Sequence, residues 1–164
     1  MWVLPLEAGA QPKPLLATRF TEMQARFSPD GKFIVYVSNE TGPFEVYVRP
    51  FFADGTLGGQ QMVSQGGGTQ PRWPAGKELY YLRPDGHVMA VPVATAPVFT
   101  RGTPEDLFPT SIYAGANARF VHYWDVTPEG RFLINTVRTD TKSPPLNVVL
   151  NWRQLLKKPG PRPD

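Results

Sequence analysis

Apolar positions in this chain fall in short runs of β-branched and aromatic residues, separated at close intervals by corners rich in proline and glycine. The clearest case is Ala25 to Ser38. Lys32–Val37 is almost wholly apolar, which predicts a strand covered on both faces. Ahead of it stands Ser28-Pro29-Asp30-Gly31: proline supplies the fixed φ of a type I turn, and glycine tolerates the positive φ that follows. Together they predict a hairpin. The turn recurs as Arg83-Pro84-Asp85-Gly86 and Thr127-Pro128-Glu129-Gly130, with a shortened form at Trp73-Pro74-Ala75-Gly76. Gly31, Gly76 and Gly130 are separated by 45 and 54 residues, and each leads into a strand: Lys32–Val37, Lys77–Leu82 and Arg131–Val137. That period belongs to a repeated four-stranded unit.

A second signature is offset from the first. Val3-Leu4-Pro5-Leu6, Val48-Arg49-Pro50-Phe51 and Ala90-Val91-Pro92-Val93 place prolines 45 and 42 residues apart and predict a third strand that ends or bulges where proline cannot donate to the ladder. In the last unit Leu146–Trp152 takes this place, with Asn151 where proline would stand. Fourth strands, shorter and more polar as edge strands are, are expected at Pro14–Phe20, Gln60–Ser64 and Glu105–Phe108. The predicted organisation is outer strands of an incomplete unit at 1–20, full units at 21–65 and 66–111, a unit at 112–157 lacking its fourth strand, and a disordered tail at 158–164. Helix is expected only for a turn or two within Asn151–Lys158. The fold class is all-β: a partial β-propeller of about three four-stranded antiparallel blades plus an N-terminal half blade.

Composition narrows the functional classes. The 164 residues are 41% hydrophobic, enough for one core, and 19 prolines and 15 glycines fall between the apolar runs. Absence of cysteine excludes disulfides, thiolate metal sites and thiol catalysis. A net charge of +3 comes from scattered Arg and Lys, clustered only at Arg153, Lys157, Lys158 and Arg162, so no nucleic-acid partner is expected. No apolar run reaches the ~20 residues of a membrane helix, so no membrane contact is expected, and Met1–Pro5 is too short and uncharged for a signal peptide.

Three stretches carry a family likeness: Ala25–Lys32, Gly66–Trp73 followed by Gly76–Tyr81, and Leu146–Trp152. They closely resemble the TolB-like β-propeller repeats at the C-terminal end of many bacterial membrane-anchored serine/threonine protein kinases. The resemblance covers nearly the whole chain and implies a sensor-like, non-catalytic scaffold for protein or peptide binding, in a periplasmic or extracytoplasmic setting. The family's rings have about six blades, and about three and a half are expected here. The kinase motifs have no match, so kinase activity does not carry over. An unclosed ring leaves apolar faces carrying residues such as Phe27, Trp73 and Tyr81, and a second copy is expected to complete it.

Candidate chemistry is sparse. His87 and His122 are the only histidines, and no Gly-x-Ser-x-Gly elbow accompanies them, so no catalytic residue, cofactor or metal is expected. Alternatives keep the chain as the propeller part of a hydrolase or lyase-type enzyme, or as a purely structural propeller fragment. Binding residues are placed at a channel or loop face: Arg26 and Arg72, at matching positions before Phe27 and Trp73, and His122-Tyr123-Trp124-Asp125, an aromatic pair beside a carboxylate. The two arginines either bind an anionic ligand or a peptide carboxylate, or pair with Asp30 or Asp125 to fix the spacing of the blades. Gly66-Gly67-Gly68-Thr69 lacks the Lys-Ser/Thr and the helix of a phosphate loop and is expected to be a flexible connection. Asp30, Asp85 and Glu129 are turn residues, too few per site to hold calcium.

Overall fold

A computed structural model of the chain describes residues 1–75, 77–112 and 121–135. The described residues form antiparallel β-structure without a helix. The strands are β1 (Trp2–Val3), β2 (Lys13–Pro14), β3 (Glu22–Phe27), β4 (Phe33–Ser38), β5 (Glu45–Pro50), β6 (Gln61–Met62), β7 (Thr69–Arg72), β8 (Glu78–Leu82), β9 (His87–Ala94), β10 (Thr100–Arg101), β11 (Glu105–Pro109), β12 (Trp124–Val126) and β13 (Phe132–Ile134). β3-β4-β5-β6 make one meandering sheet. β7-β8-β9 make the next, and β10 and β11 share the far edge of β9. β1-β2 and β12-β13 are separate pairs. Among the described residues no sheet closes on itself.

The first hairpin forms as its turn chemistry predicts. Ser28 donates from its backbone N–H to Phe33 O at 2.9 Å and from its hydroxyl to Asp30 at 2.6 Å, while Gly31, at φ 70°, donates to Ser28 O at 2.9 Å. β4 is buried at every position, as its unbroken apolar run requires. Its side chains alternate: Phe33, Val35 and Val37 join Trp73, Leu79, Tyr81 and Phe99 in a core between the two large sheets. Ile34 and Tyr36 face the other way, toward Leu16, Met1 and Leu15. β8 repeats the alternation, with Tyr80 and Leu82 meeting Trp124, Phe132 and Ile134. The layers therefore follow chain order: β1-β2, first sheet, second sheet, β12-β13. Each large side chain buried between them contributes roughly 1.5–3 kcal/mol.

The third hairpin is one residue tighter. Ser28 N bonds to Phe33 O, but Thr127 N bonds to Arg131 O. A one-residue change exchanges the two faces of a strand. Leu133 accordingly pairs with Asp125 as Val35 pairs with Arg26 and Tyr80 with Arg72, and Phe132 turns inward.

Several expectations are corrected. Trp73 and Tyr81 are buried between sheets, whereas Phe27 is 52% exposed. β9 continues past Pro92 to Ala94, because Pro92 still accepts from Gly102 N–H at 2.8 Å. Of the expected strand at Pro14–Phe20 only Pro14 joins a ladder, through β2, and the strand within Gln60–Ser64 shrinks to Gln61–Met62. The glycine-rich connection is held: Gly67 N–H donates to buried Glu45 at 2.8 Å, Gly68 N–H donates to Phe44 O at 2.8 Å, and Ser64 Oγ donates to Glu45. Gly76, Leu146–Trp152, Asn151–Lys158, the end of Arg131–Val137 and the tail at 158–164 lie outside the described residues.

Candidate functional site

The site is assembled by a bulge that recurs on the first strand of each large sheet. Ladder register shifts between Met23 and Arg26 on β3 and between Thr69 and Arg72 on β7. Inside each bulge a glutamine takes the left-handed conformation, Gln24 at φ 57° and Gln70 at φ 52°. For a residue with a Cβ that conformation costs roughly 1–2 kcal/mol, and its recurrence shows that surrounding contacts enforce it. Those contacts tie one layer to the next. Gln24 Oε1 accepts the Gln70 backbone N–H at 2.7 Å, and Gln70 Oε1 accepts the Tyr123 backbone N–H at 2.8 Å. The bulge then aims Arg72 across the gap toward the segment from His122 to Asp125.

Arg72 is only 3% exposed and its fork is almost fully engaged. Nη1 donates to Pro71 O at 2.9 Å and lies 3.1 Å from His122 Nδ1; Nη2 donates to Trp124 O at 2.5 Å. Nε lies 3.0 Å from Asp125 Oδ1 but out of line for a hydrogen bond, so that pairing is a charge contact. The guanidinium also sits 5.4 Å from the centre of the Trp124 ring. Burial and the neighbouring charge of Arg26 lower its pKa to about 10, which leaves it a cation at neutral pH.

An arginine can only donate, so Nδ1 of His122 accepts and its proton resides on Nε2. Desolvation of the imidazole, reinforced by Arg72 and Arg26, pushes its pKa down to about 4. His122 is therefore neutral at pH 7 and keeps one N–H to donate. Arg26 differs from Arg72 despite the matched position. It is exposed, and among the described residues its side chain makes no hydrogen bond or ion pair. Asp30 accepts instead from the Ser28 hydroxyl and the Lys32 N–H within its own turn, and it forms no ion pair with Arg26.

The six residues singled out in the sequence, Arg26, Arg72, His122, Tyr123, Trp124 and Asp125, line one cleft of about 290 Å3 together with Leu133 and Asn135. A neighbouring cleft of about 340 Å3 shares Arg26, Arg72 and Asp125 and extends along Phe27 and Trp73. Two guanidinium groups thus face one carboxylate, and one of the two is engaged in holding the wall. The arrangement can receive an anionic group at Arg26. Of the two roles offered for the arginines, fixing the spacing falls to Arg72 through Asp125, and Arg26 is left available.

Sequence reasoning missed Gln24 and Gln70. Their signal was a glutamine at the same place in two repeats, two residues before each arginine. His87 lies elsewhere, on an exposed rim where its Nδ1 is 2.8 Å from Asp106 and Arg83 bridges Asp85 and Asp106 at 2.8 and 3.0 Å. No family model matches the sequence, and no curated protein matches it either.

Proposed function

We propose that the chain is a non-catalytic binding module of β-propeller type, in which Arg26 receives an anionic group of a protein or peptide. The observation that carries this reading is the contrast between two arginines at equivalent positions. One is buried and consumed by the wall; the other is exposed, without a partner among the described residues, and set in a concave surface beside the neutral His122. Exposed guanidinium groups next to an aromatic wall suit carboxylates, because the fork matches the carboxylate oxygens and apolar surface supplies the rest of the contact. The propeller reading is supported by the stacking of consecutive antiparallel meanders in chain order, by the repeated bulge that links their first strands, and by the resemblance of Ala25–Lys32 and Gly66–Trp73 to TolB-like repeats.

A pair of N-acetylated peptides of one sequence, one ending in a free carboxylate and one in a carboxamide, tests the reading by amide chemical-shift titration. The free acid is expected to shift Tyr123 and Asp125. Arg26→Gln is expected to weaken it by about 10-fold or more, since a hydrogen bond to a charged group is worth roughly 1.5–3 kcal/mol. Equal binding of acid and amide, or unchanged affinity in Arg26→Gln, refutes the assignment.

A further inference from the structure

The wall that holds Arg72 also decides which anion the cleft can accept. His122 is exposed and lines the cleft of about 290 Å3 together with Arg26 and Asp125. Its Nδ1 lone pair lies 3.1 Å from Arg72 Nη1, and a guanidinium has no lone pair to offer in return, so the imidazole carries its one proton on Nε2. Arg72 is thereby a positioning residue: it fixes a neutral N–H donor in the cleft that also holds the exposed guanidinium of Arg26.

Asp125 brings the opposite charge to the same surface. Its Oδ1 accepts the Val126 N–H at 3.0 Å and lies 3.0 Å from Arg72 Nε, yet the side chain is 66% exposed and lines both clefts. Arg72 itself is sealed at 3% exposure, with its fork spent on the wall. Among the described residues, then, a ligand in the cleft meets one exposed cation, one neutral N–H and one exposed carboxylate. A carboxylate has two oxygens for the two donors and one charge for the one cation. A phosphoryl group brings close to two negative charges, and where a second cation would be needed there stands Asp125.

We infer that the cleft recognises a carboxylate through two donors, the Arg26 guanidinium and the His122 Nε2–H, and that Asp125 makes it reject phosphoryl groups. Both roles rest on the reading of Arg26 as the anchor of the anion; His122 adds the second donor and Asp125 the choice of anion.

Three N-acetylated peptides of one sequence test these roles by amide chemical-shift titration: the free acid, the carboxamide, and the carboxamide with phosphoserine as its last residue. The free acid is expected to bind the parent chain about 10-fold or more tightly than the phosphopeptide, since like charges set against each other are costly. Asp125→Asn should narrow that gap to about 3-fold or less, because the repulsion it removes is twice as large for a dianion. His122→Asn keeps an oxygen where Nδ1 accepts from Arg72 but offers no donor at the Nε2 position, and should weaken the acid by about 10-fold; His122→Gln, which reaches that position with an N–H, should stay within about 3-fold of the parent. The imidazole nitrogen spectrum supplies a signature that a purely structural role would not move: the Nε2 proton should shift downfield with the acid and not with the carboxamide. Equal binding of acid and phosphopeptide by the parent chain overturns the choice of anion, and parent affinity in His122→Asn, or an Nε2 proton indifferent to the acid, overturns the second donor. Should either occur while Arg26→Gln still weakens the acid, the anchor stands and the role assigned to Asp125 or His122 falls; an acid that binds no better than its carboxamide removes the anchor as well.

Discussion

Replacing Arg72 by methionine keeps most of the side-chain volume while deleting the guanidinium. Trp124 O, in a residue 3% exposed, then loses its donor, and His122 Nδ1 and Pro71 O lose theirs. Asp125 loses its partner without becoming a buried charge, since its side chain is 66% exposed. A hydrogen bond to a charged group contributes roughly 1.5–3 kcal/mol, and an orphaned buried acceptor costs roughly 1–3 kcal/mol. Relief from desolvating the guanidinium offsets part of this, so the net loss is about 2–4 kcal/mol. With an m-value near 2 kcal/mol/M, the urea midpoint should fall by roughly 1–2 M. Arg72→Lys should recover less than half, because an ammonium keeps the charge but cannot reach Pro71 O, His122 and Trp124 O from one planar fork. A second readout is independent of stability: losing Arg72 should raise the His122 pKa from about 4 toward 6.5. If Arg72→Met unfolds at the parent midpoint with His122 still titrating near 4, the assignment of Arg72 as the strut of the cleft is wrong.

His122 also predicts a pH dependence. Its folded pKa, about 4, lies below the ordinary 6.5, so the unfolded chain binds the proton first and stability should fall as pH drops from 6.5 to about 4, then level off. One side of the ring is open to solvent, which trims the effect to about 1 kcal/mol. Urea midpoints across that window, compared with His122→Gln, check it; a flat profile in the parent chain contradicts it. Gly67→Ala should cost about 2–4 kcal/mol, because φ is +100° and a Cβ would stand 2.5 Å from Pro84 Cγ. Gly31→Ala, at φ +70° with nothing within 4 Å, should cost only about 1–2 kcal/mol. Equal midpoints for the two variants would show that the connection between the sheets is pliable.

What the amino-acid sequence determined by itself was local. Turn chemistry at Ser28–Gly31 and the unbroken apolar run after it specify a hairpin whose second strand is buried on both faces, because backbone dihedral preference and side-chain hydrophobicity act within a few residues. The gathering of Arg26, Arg72 and the His122–Asp125 segment was legible for a related reason: residues at one place in successive repeats lie side by side when the repeats stack. The tertiary structure alone decided how those residues differ. Arg72 is sealed because a following layer covers it and supplies Trp124 O and Asp125, and Trp73 is buried because Phe33 packs on it at 6.2 Å. Arg26 and Phe27 have the same local sequence context but stand at the start of the stack, so exposure divides what composition made alike. A turn one residue shorter sends Leu133 outward, and although a glutamine stands two residues before each arginine, its left-handed conformation is not legible there, since amide hydrogen bonds to the next layer hold Gln24 and Gln70 in it. Such distinctions depend on what each strand meets across the gap, which a strand cannot encode within itself.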